Sequence, residues 1–263
     1  MFMYKMLLLT AMLAFSACAD DLPVDLSTPA AGENTGQTTR PAGIQLAEKG
    51  HRKAAFLKKS TYAFDIVWSH RNGLGAHLVQ RPDGSAIYIR YGSGTQAWWN
   101  GKDVKLLAAP GDTIGAEQAR FDLRAWHYWS CLPYKLDNPG AHWQTMPDRL
   151  LGDQRCSVGR LQFDPGTGDS PDDWFAVFIG QTDRLLLGAA FVSTQGKNSA
   201  ERAAKKPQMI RYSDFRLVDG IPVAQRWTFS AWNTEELDSR ANQGAAILSN
   251  IRFDRETDVF SKE

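Results

Sequence analysis

From residue 44 onward the apolar positions switch between two periods. The stretch Ile44 to Lys58, IQLAEKGHRKAAFLK, sets Ile44, Ala47, Ala54, Ala55 and Leu57 among charged residues and predicts a helix with Gly50 as its weak point. His51 has neither an acid nor a second histidine at i+3 or i+4, so it reads as a solvated helix residue. The period then becomes two: Tyr62, Phe64, Ile66 and Trp68 alternate with Thr61, Ala63, Asp65 and Val67, as in a half-buried strand that ends at Asn72-Gly73. A strand through His77 to Gln80, a turn at Pro82 to Ser85 and the strand AIYIRY continue an antiparallel meander. In QAWWNGKDVKLL, Asn100-Gly101 supplies the residue pair of a type I′ hairpin turn. Six later stretches, RCSVGRLQF, WFAVFI, RLLLGAAFV, QMIRYSDFRLV, VAQRWTFSAW and ILSNIRF, also read as strands. In the fifth, Val223, Trp227, Phe229 and Ala231 share one face, and Arg226, Thr228 and Ser230 the other.

Between the two groups of strands, Ala116 to Leu132 returns to helical spacing, with Phe121, Ala125, Trp126, Trp129 and Leu132 on one side and His127 on the polar side, until Pro133 stops it. About ten strands and few long helices make a mainly β (α+β) domain whose antiparallel sheet must curl or close to protect its edges. The aromatic helix, inserted midway, is suited to cover the concave face of such a sheet, either over a space or packed flat on it.

The ends of the chain change the picture. In MFMYKMLLLTAMLAFSAC, Lys5 precedes an apolar run from Met6 to Phe15 that is too short to span a bilayer, and Phe15-Ser16-Ala17-Cys18 resembles a bacterial lipobox with Phe in place of the usual Leu. Residues 1–18 are thus expected to be a lipoprotein signal peptide with Cys18 as the acylated residue; an ordinary cleaved secretory peptide is the alternative. Ala19 after that cysteine favours outer-membrane sorting, with Asp20 close by. Residues 19–43, ADDLPVDLSTPAAGENTGQTTRPAG, are poor in large apolar side chains and read as a disordered tether with a reach of roughly 25 to 30 Å. Residues 44–258 have a length that suits one large domain or two small ones, and with no second linker one domain facing the periplasm is expected. Thirty basic against 29 acidic residues, with no long basic block, argue against nucleic acid as a partner. Nine tryptophans call for a large buried interior or a lined binding surface.

The search for chemistry finds no HExxH, G-x-S-x-G, Cys-x-x-Cys, phosphate loop or dinucleotide fingerprint. In HYWSCLPYKLDNPGAHW, His127 and His142 flank Cys131, but no third group marks an orienter for a thiolate nucleophile. Cys131, Cys156, His127 and His142 lack the close paired spacing of a structural zinc site, so no metal and no cofactor is expected. With Cys18 spent on lipid, Cys131 and Cys156 form an even pair in an oxidising compartment, and one disulfide or two buried free thiols are both open. The loop DPGTGDSPDD, Asp164 to Asp173, reads as a solvated turn before it reads as a calcium loop. The basic run Lys197 to Lys206 reads as a solvated surface, with contact to anionic headgroups as the alternative.

YWSCLPYKLDNPGAHW, LLGDQRCSVGRLQF, DDWFAVFI and RYSDFRLVDGIPVAQRWTF, taken in order, resemble an uncharacterised family of bacterial secreted proteins and lipoproteins, which in turn looks like the superfamily of the lipoprotein carriers LolA and LolB. The resemblance spans most of residues 44 to 254 and rests on order and spacing. It implies a strongly curved antiparallel sheet, an unclosed barrel, with helices over the concave face and an apolar cavity between, where LolA and LolB hold acyl chains. No catalytic residue is carried over. The expected function is non-catalytic binding of lipid or another apolar or amphipathic ligand. Trp129, Leu132, Tyr134, Trp227 and Phe229 are the candidate lining, in a cavity of roughly 300 to 1,000 Å³. An envelope protein–protein interaction module with a filled core is the first alternative and a hydrolase without a recognised motif the second. Under the resemblance, Tyr128 to Pro133 end the covering helix, Tyr134 to Trp143 form a strap back to the sheet, and the histidines are incidental.

Overall fold

The computed structural model describes residues 40–69, 75–165, 173–192, 207–232 and 242–262. Cys18, the signal segment, almost all of the tether, the Asn72-Gly73 turn, most of the Asp164 to Asp173 loop and the run from Lys197 to Lys206 lie outside the described residues.

Twelve strands form one antiparallel sheet: β1 (Tyr62–Trp68), β2 (Gly75–Gln80), β3 (Ile87–Tyr91), β4 (Gln96–Trp99), β5 (Val104–Leu107), β6 (Ala141–Leu151), β7 (Gln154–Phe163), β8 (Trp174–Gly180), β9 (Leu186–Val192), β10 (Gln208–Val218), β11 (Ile221–Ala231) and β12 (Asn242–Phe253). Their order is β5-β4-β3-β2-β1-β12-β11-β10-β9-β8-β7-β6. Two meanders therefore meet where the first strand pairs with the last, Tyr62 opposite Phe253, and the edges β5 and β6 do not close on each other. The strand pattern required the sheet to curl or close, and the sheet is the curved, unclosed one that the resemblance implied.

Because β5 and β6 are opposite edges, the chain between them has to cross the sheet, and that crossing carries α3 (Ala116–Cys131). The helix lies against β3, β4 and β5, and a 3-10 turn, Leu132–Tyr134, follows it at Pro133. The main core lies between this cover and the facing side of the sheet. Trp227, Tyr62, Phe64, Leu78, Ile89, Leu123 and Leu132 are buried in it, at about 1.5 to 3 kcal/mol for each large apolar side chain taken from water. Two smaller clusters lie apart from it: Ala63, Val79, Tyr88 and Trp98 under Val259 and Phe260, and Leu151, Cys156, Val158, Ala176, Phe178 and Met209 in the other half of the sheet.

Several expectations need correction. The helix expected over 44 to 58 is two, α1 (Ala42–Gly50) and α2 (Lys53–Phe56), broken where Arg52 takes a left-handed conformation at φ 54°. A Cβ on Gly50 would stand 2.0 Å from the Arg184 carbonyl oxygen, so the helix can approach the β8–β9 turn only through a glycine. His51 is not solvated: at the break it turns inward and is buried. In α3 the buried stripe is Ala119, Asp122, Leu123, Trp126, His127, Ser130 and Cys131, so His127 lies on the inner face, and Phe121, 37 % exposed, lies outside it.

Asn100 and Gly101 do connect a hairpin, but Trp99 pairs with Val104, which leaves a four-residue loop instead of a type I′ turn. Only Gly101 of the two has positive φ, and the Asn100 side-chain oxygen accepts the N–H groups of Lys102 and Asp103. The strap runs only to Gly140. From Ala141 the chain is the edge strand β6, whose Pro147 is tolerated at a register shift between Met146 and Arg149.

Candidate functional site

The candidate site is the seam where the end of α3 and the following turn meet the sheet. On its β2–β4 side the helix is held by polar groups. The Tyr91 hydroxyl donates to Asp122 Oδ2 at 3.1 Å, and Gln118 Nε2 donates to Oδ1 at 2.9 Å. One turn on, Gln80 Nε2 donates to Ser130 Oγ at 2.8 Å, and its Oε1 lies 3.3 Å from His127 Nδ1. Lys135 Nζ lies 2.8 Å from His127 Nε2. An ammonium group only donates, so Nε2 is the acceptor and Nδ1 carries the proton that meets Gln80. Burial, the Lys135 charge and then Arg124 hold His127 well below the ordinary histidine range.

This arrangement gives Cys131 no base. Its sulfur is 3.7 Å from His127 Nδ1, the nitrogen that already bears a proton, and burial pushes the thiol up to about 11. His142 sits apart, exposed and 2.6 Å from Asp164. Among the described residues no group of three or more His, Cys, Asp or Glu gathers as a metal site. Cys131 and Cys156 are both free and buried, Cys131 in the core under α3 and Cys156 in the cluster with Leu151 and Met209, so the disulfide weighed from the cysteine count is not formed.

At its C-terminal end the helix meets β8 and β9 through aromatic rings. Trp129 lies 4.6 Å from Phe191 and 5.9 Å from Phe175, and Tyr128 lies 5.4 Å from Phe175, all between ring centroids. The Tyr212 hydroxyl donates to the Trp129 carbonyl at 3.0 Å and so satisfies one of the last-turn carbonyls. Further along the interior, Trp126 stands 6.1 Å from Trp227, and Trp227 stands 5.9 Å from Tyr212.

Trp129, Tyr134 and Trp227 come together around one cavity, with His51, Tyr62 and Tyr212 among its other walls. Leu132 and Phe229 do not line it: Leu132 is fully buried in the core, and Phe229 lies against Trp68 at 6.2 Å. Tyr134 stacks on Phe56 at 3.7 Å. The cavity measures about 20 Å³, far below the expected range, because the aromatic side chains fill the interior. An open hollow of about 430 Å³ beside Asp214, Arg216 and Ile247 is larger, but it is not the enclosed space under the helix.

Phe175, Phe191 and Tyr212 were not singled out from sequence, and His51 was read there as solvated. Phe175 and Phe191 sit in WFAVFI and LLLGAAFV, runs buried on both faces, where no alternation marks which residues face the helix.

No protein-family model and no curated protein matches the chain. Solved structures do. A LolA superfamily protein from Nitrosomonas europaea is similar at a TM-score of 0.52 and 12% identity, over 81% of this chain and 96% of that one. A putative outer membrane lipoprotein-sorting protein domain from Vibrio parahaemolyticus has a TM-score of 0.43 at 11% identity, over 84% of this chain and 96% of that one. A DUF1329 family protein from Desulfovibrio piger has a TM-score of 0.43 at 11% identity, over 83% and 95%. At 12% identity the likeness to the first of these is one of architecture, and the architecture of this chain, a curved antiparallel sheet under a crossing helix, is LolA-like.

Proposed function

We propose that this protein is a lipid-anchored, non-catalytic envelope lipoprotein that takes an apolar or amphipathic, acyl-chain-like ligand between α3 and the sheet, with its domain in the periplasm and Cys18 as the acylated residue. The observation that carries this reading is the seam itself. Where the helix end meets β8 and β9, the contacts are ring on ring, with one hydrogen bond from Tyr212. Such contacts are non-directional, so an acyl chain can replace them without leaving many buried polar groups unpaired. The cavity of about 20 Å³ is then the closed state of the site, and loading requires the Trp129 face of the helix end to part from β8 and β9. Trp129, Tyr134 and Trp227 are the wall against which the chain lies.

The test is to extract lipid from the full-length protein purified under native conditions and to identify it by mass spectrometry. A bound acyl lipid in stoichiometric amount is the expected result. In parallel, Cys18→Ser should abolish labelling by a fatty-acid probe and move the protein out of the membrane fraction. A wild type that is already soluble removes the anchor from the reading, and separation of the two membranes tests the outer-membrane placement.

One observation favours a second reading. An interior filled to about 20 Å³ also suits an interaction module whose partner is another envelope protein and whose cover never opens. Absence of lipid in the extract, together with no uptake of an acyl probe, decides for that module.

A further inference from the structure

His51 lies in the wall of the cavity and is 2 % exposed. Its two ring nitrogens are in different situations. Nε2 accepts the backbone N–H of Leu186 at 2.7 Å, which places the proton of the neutral ring on Nδ1. That Nδ1–H has no hydrogen-bond partner. The Pro222 carbonyl acts on the ring from nearby but does not complete a bond with Nδ1 in hydrogen-bond geometry. A buried donor without a partner is uncommon in a folded protein and is costly to keep, so one beside a cavity marks where an acceptor belongs. The space of about 20 Å³ is the size that one water or one carbonyl oxygen fills.

We propose that the Nδ1–H of His51 recognises the ligand's head by hydrogen-bonding the carbonyl oxygen of a neutral acyl ester or amide, while the acyl chain runs along Trp129 and Trp227. The inference rests on the apolar-ligand reading above and names its chemical class. Two observations select a neutral acceptor over an ionised carboxylate. Among the described residues that line the cavity there is no Lys and no Arg to meet a negative charge, and a buried carboxylate without a counter-charge is strongly disfavoured. Burial also pushes His51 down to about 3, against a smaller opposing pull from Pro222, so the ring offers a donor without bringing a positive charge.

The experiment uses the full-length protein and two competitors of a bound fluorescent acyl probe, methyl decanoate and undecane, which share the chain but differ in the ester carbonyl. The readout is the ratio of their affinities. In His51→Gln the side-chain oxygen can still accept the Leu186 N–H, but no donor stands at the Nδ1 position; the ratio should fall roughly fivefold to tenfold, the worth of one buried hydrogen bond. His51→Asn, which keeps a donor on the Nδ1 side, should retain most of the ratio. Thermal unfolding of each variant shows whether it is folded. Should His51→Gln fail to fold, the wild-type His51 Nδ1–H proton resonance replaces it, moving downfield on addition of methyl decanoate and not of undecane.

An unchanged ratio in folded His51→Gln, or a resonance indifferent to the ester, overturns the role of His51 and leaves the apolar site intact. A wild type that binds neither competitor overturns both the apolar site and this inference.

Discussion

On its β2–β4 side α3 is fastened by hydrogen bonds in which the Tyr91 hydroxyl donates to Asp122, Gln80 donates to Ser130 and His127 donates to Gln80, whereas at its C-terminal end it rests on β8 and β9 through the rings of Trp129 and Tyr128. The polar flank is buried and the aromatic one half-buried, and they part differently. Separating the polar flank strands donors and acceptors in a low-dielectric interior, where each unpaired group costs about 1 to 3 kcal/mol. Separating the aromatic flank exposes or re-covers apolar area, and a ligand can do the re-covering. The contrast makes the β2–β4 side the hinge and the β8–β9 side the mouth of any opening.

Acidification should have the largest effect, and it reaches the interior at two points, His127 in the polar flank and His51 by the cavity. Unfolded, both rings take up a proton near 6.5; folded, His51 ionises only at about 3, and His127 is held well below its ordinary value. Stability is therefore full above the ordinary histidine pKa. It falls as the pH drops toward the folded values, by up to roughly 1.4 kcal/mol per pH unit for each ring. Asp65 and Glu256, held below the usual carboxylate range, add to the loss only at lower pH, so the histidine share is read above about pH 5. Urea midpoints across that range check it, and His127→Gln should remove the polar flank's share of the slope. A flat profile would mean that neither ring is buried neutral.

Trp227 belongs to the interior that both flanks enclose, and Trp227→Ala should cost about 3 to 5 kcal/mol in chemical denaturation. Gln80→Leu sharpens the contrast more directly. It removes Gln80 as a partner, leaving Ser130 the His127 carbonyl and His127 the Lys135 ammonium, and should lower stability by about 1 to 3 kcal/mol, with little change in acyl-probe affinity. Trp129→Ala should show the converse, a smaller stability loss of about 1 to 2 kcal/mol because the indole is only half-buried, with a clear loss of probe binding. If Gln80→Leu and Trp129→Ala lower stability and binding in the same proportion, the two flanks do not act separately.

The sheet was legible because alternation survives wherever one face is wet: Tyr62, Phe64 and Ile66 in β1 and Trp227 in β11 enter the interior as their period requires. The opposite edge was less so. β6 mixes polar residues with Pro147, and its strand character comes from pairing with β7, a long-range contact that no local pattern announces. Trp143 of that strand lies over Gly159, where a Cβ would be 1.9 Å from its ring, so a glycine with no turn to make is a clue to indole packing that only the structure explains.

Two of the three buried histidines among the described residues, His51 and His127, were misplaced. Charge pattern predicts solvent for His51 among Lys and Arg, and helical spacing puts His127 on the polar side, but the Leu186 N–H and Gln80 each offer a partner from distant sequence, which lowers the cost of burying one nitrogen of each neutral ring. Phe121 erred in the opposite sense: the helix rotates so that Asp122, paired with Tyr91, faces inward and Phe121 faces out.

The pairing of β1 with β12 has a consequence for how the protein is made. Tyr62 waits for Phe253, so the seam between the two meanders forms only after nearly the whole domain has emerged, and until then β1 and β11 each present an open edge. High contact order of this kind slows folding and prolongs exposure of strands that can pair with other chains. A polypeptide built this way is open to aggregation until its last strand arrives, which makes the final dozen residues of the sheet, Asn242–Phe253, a closing step for the fold as a whole.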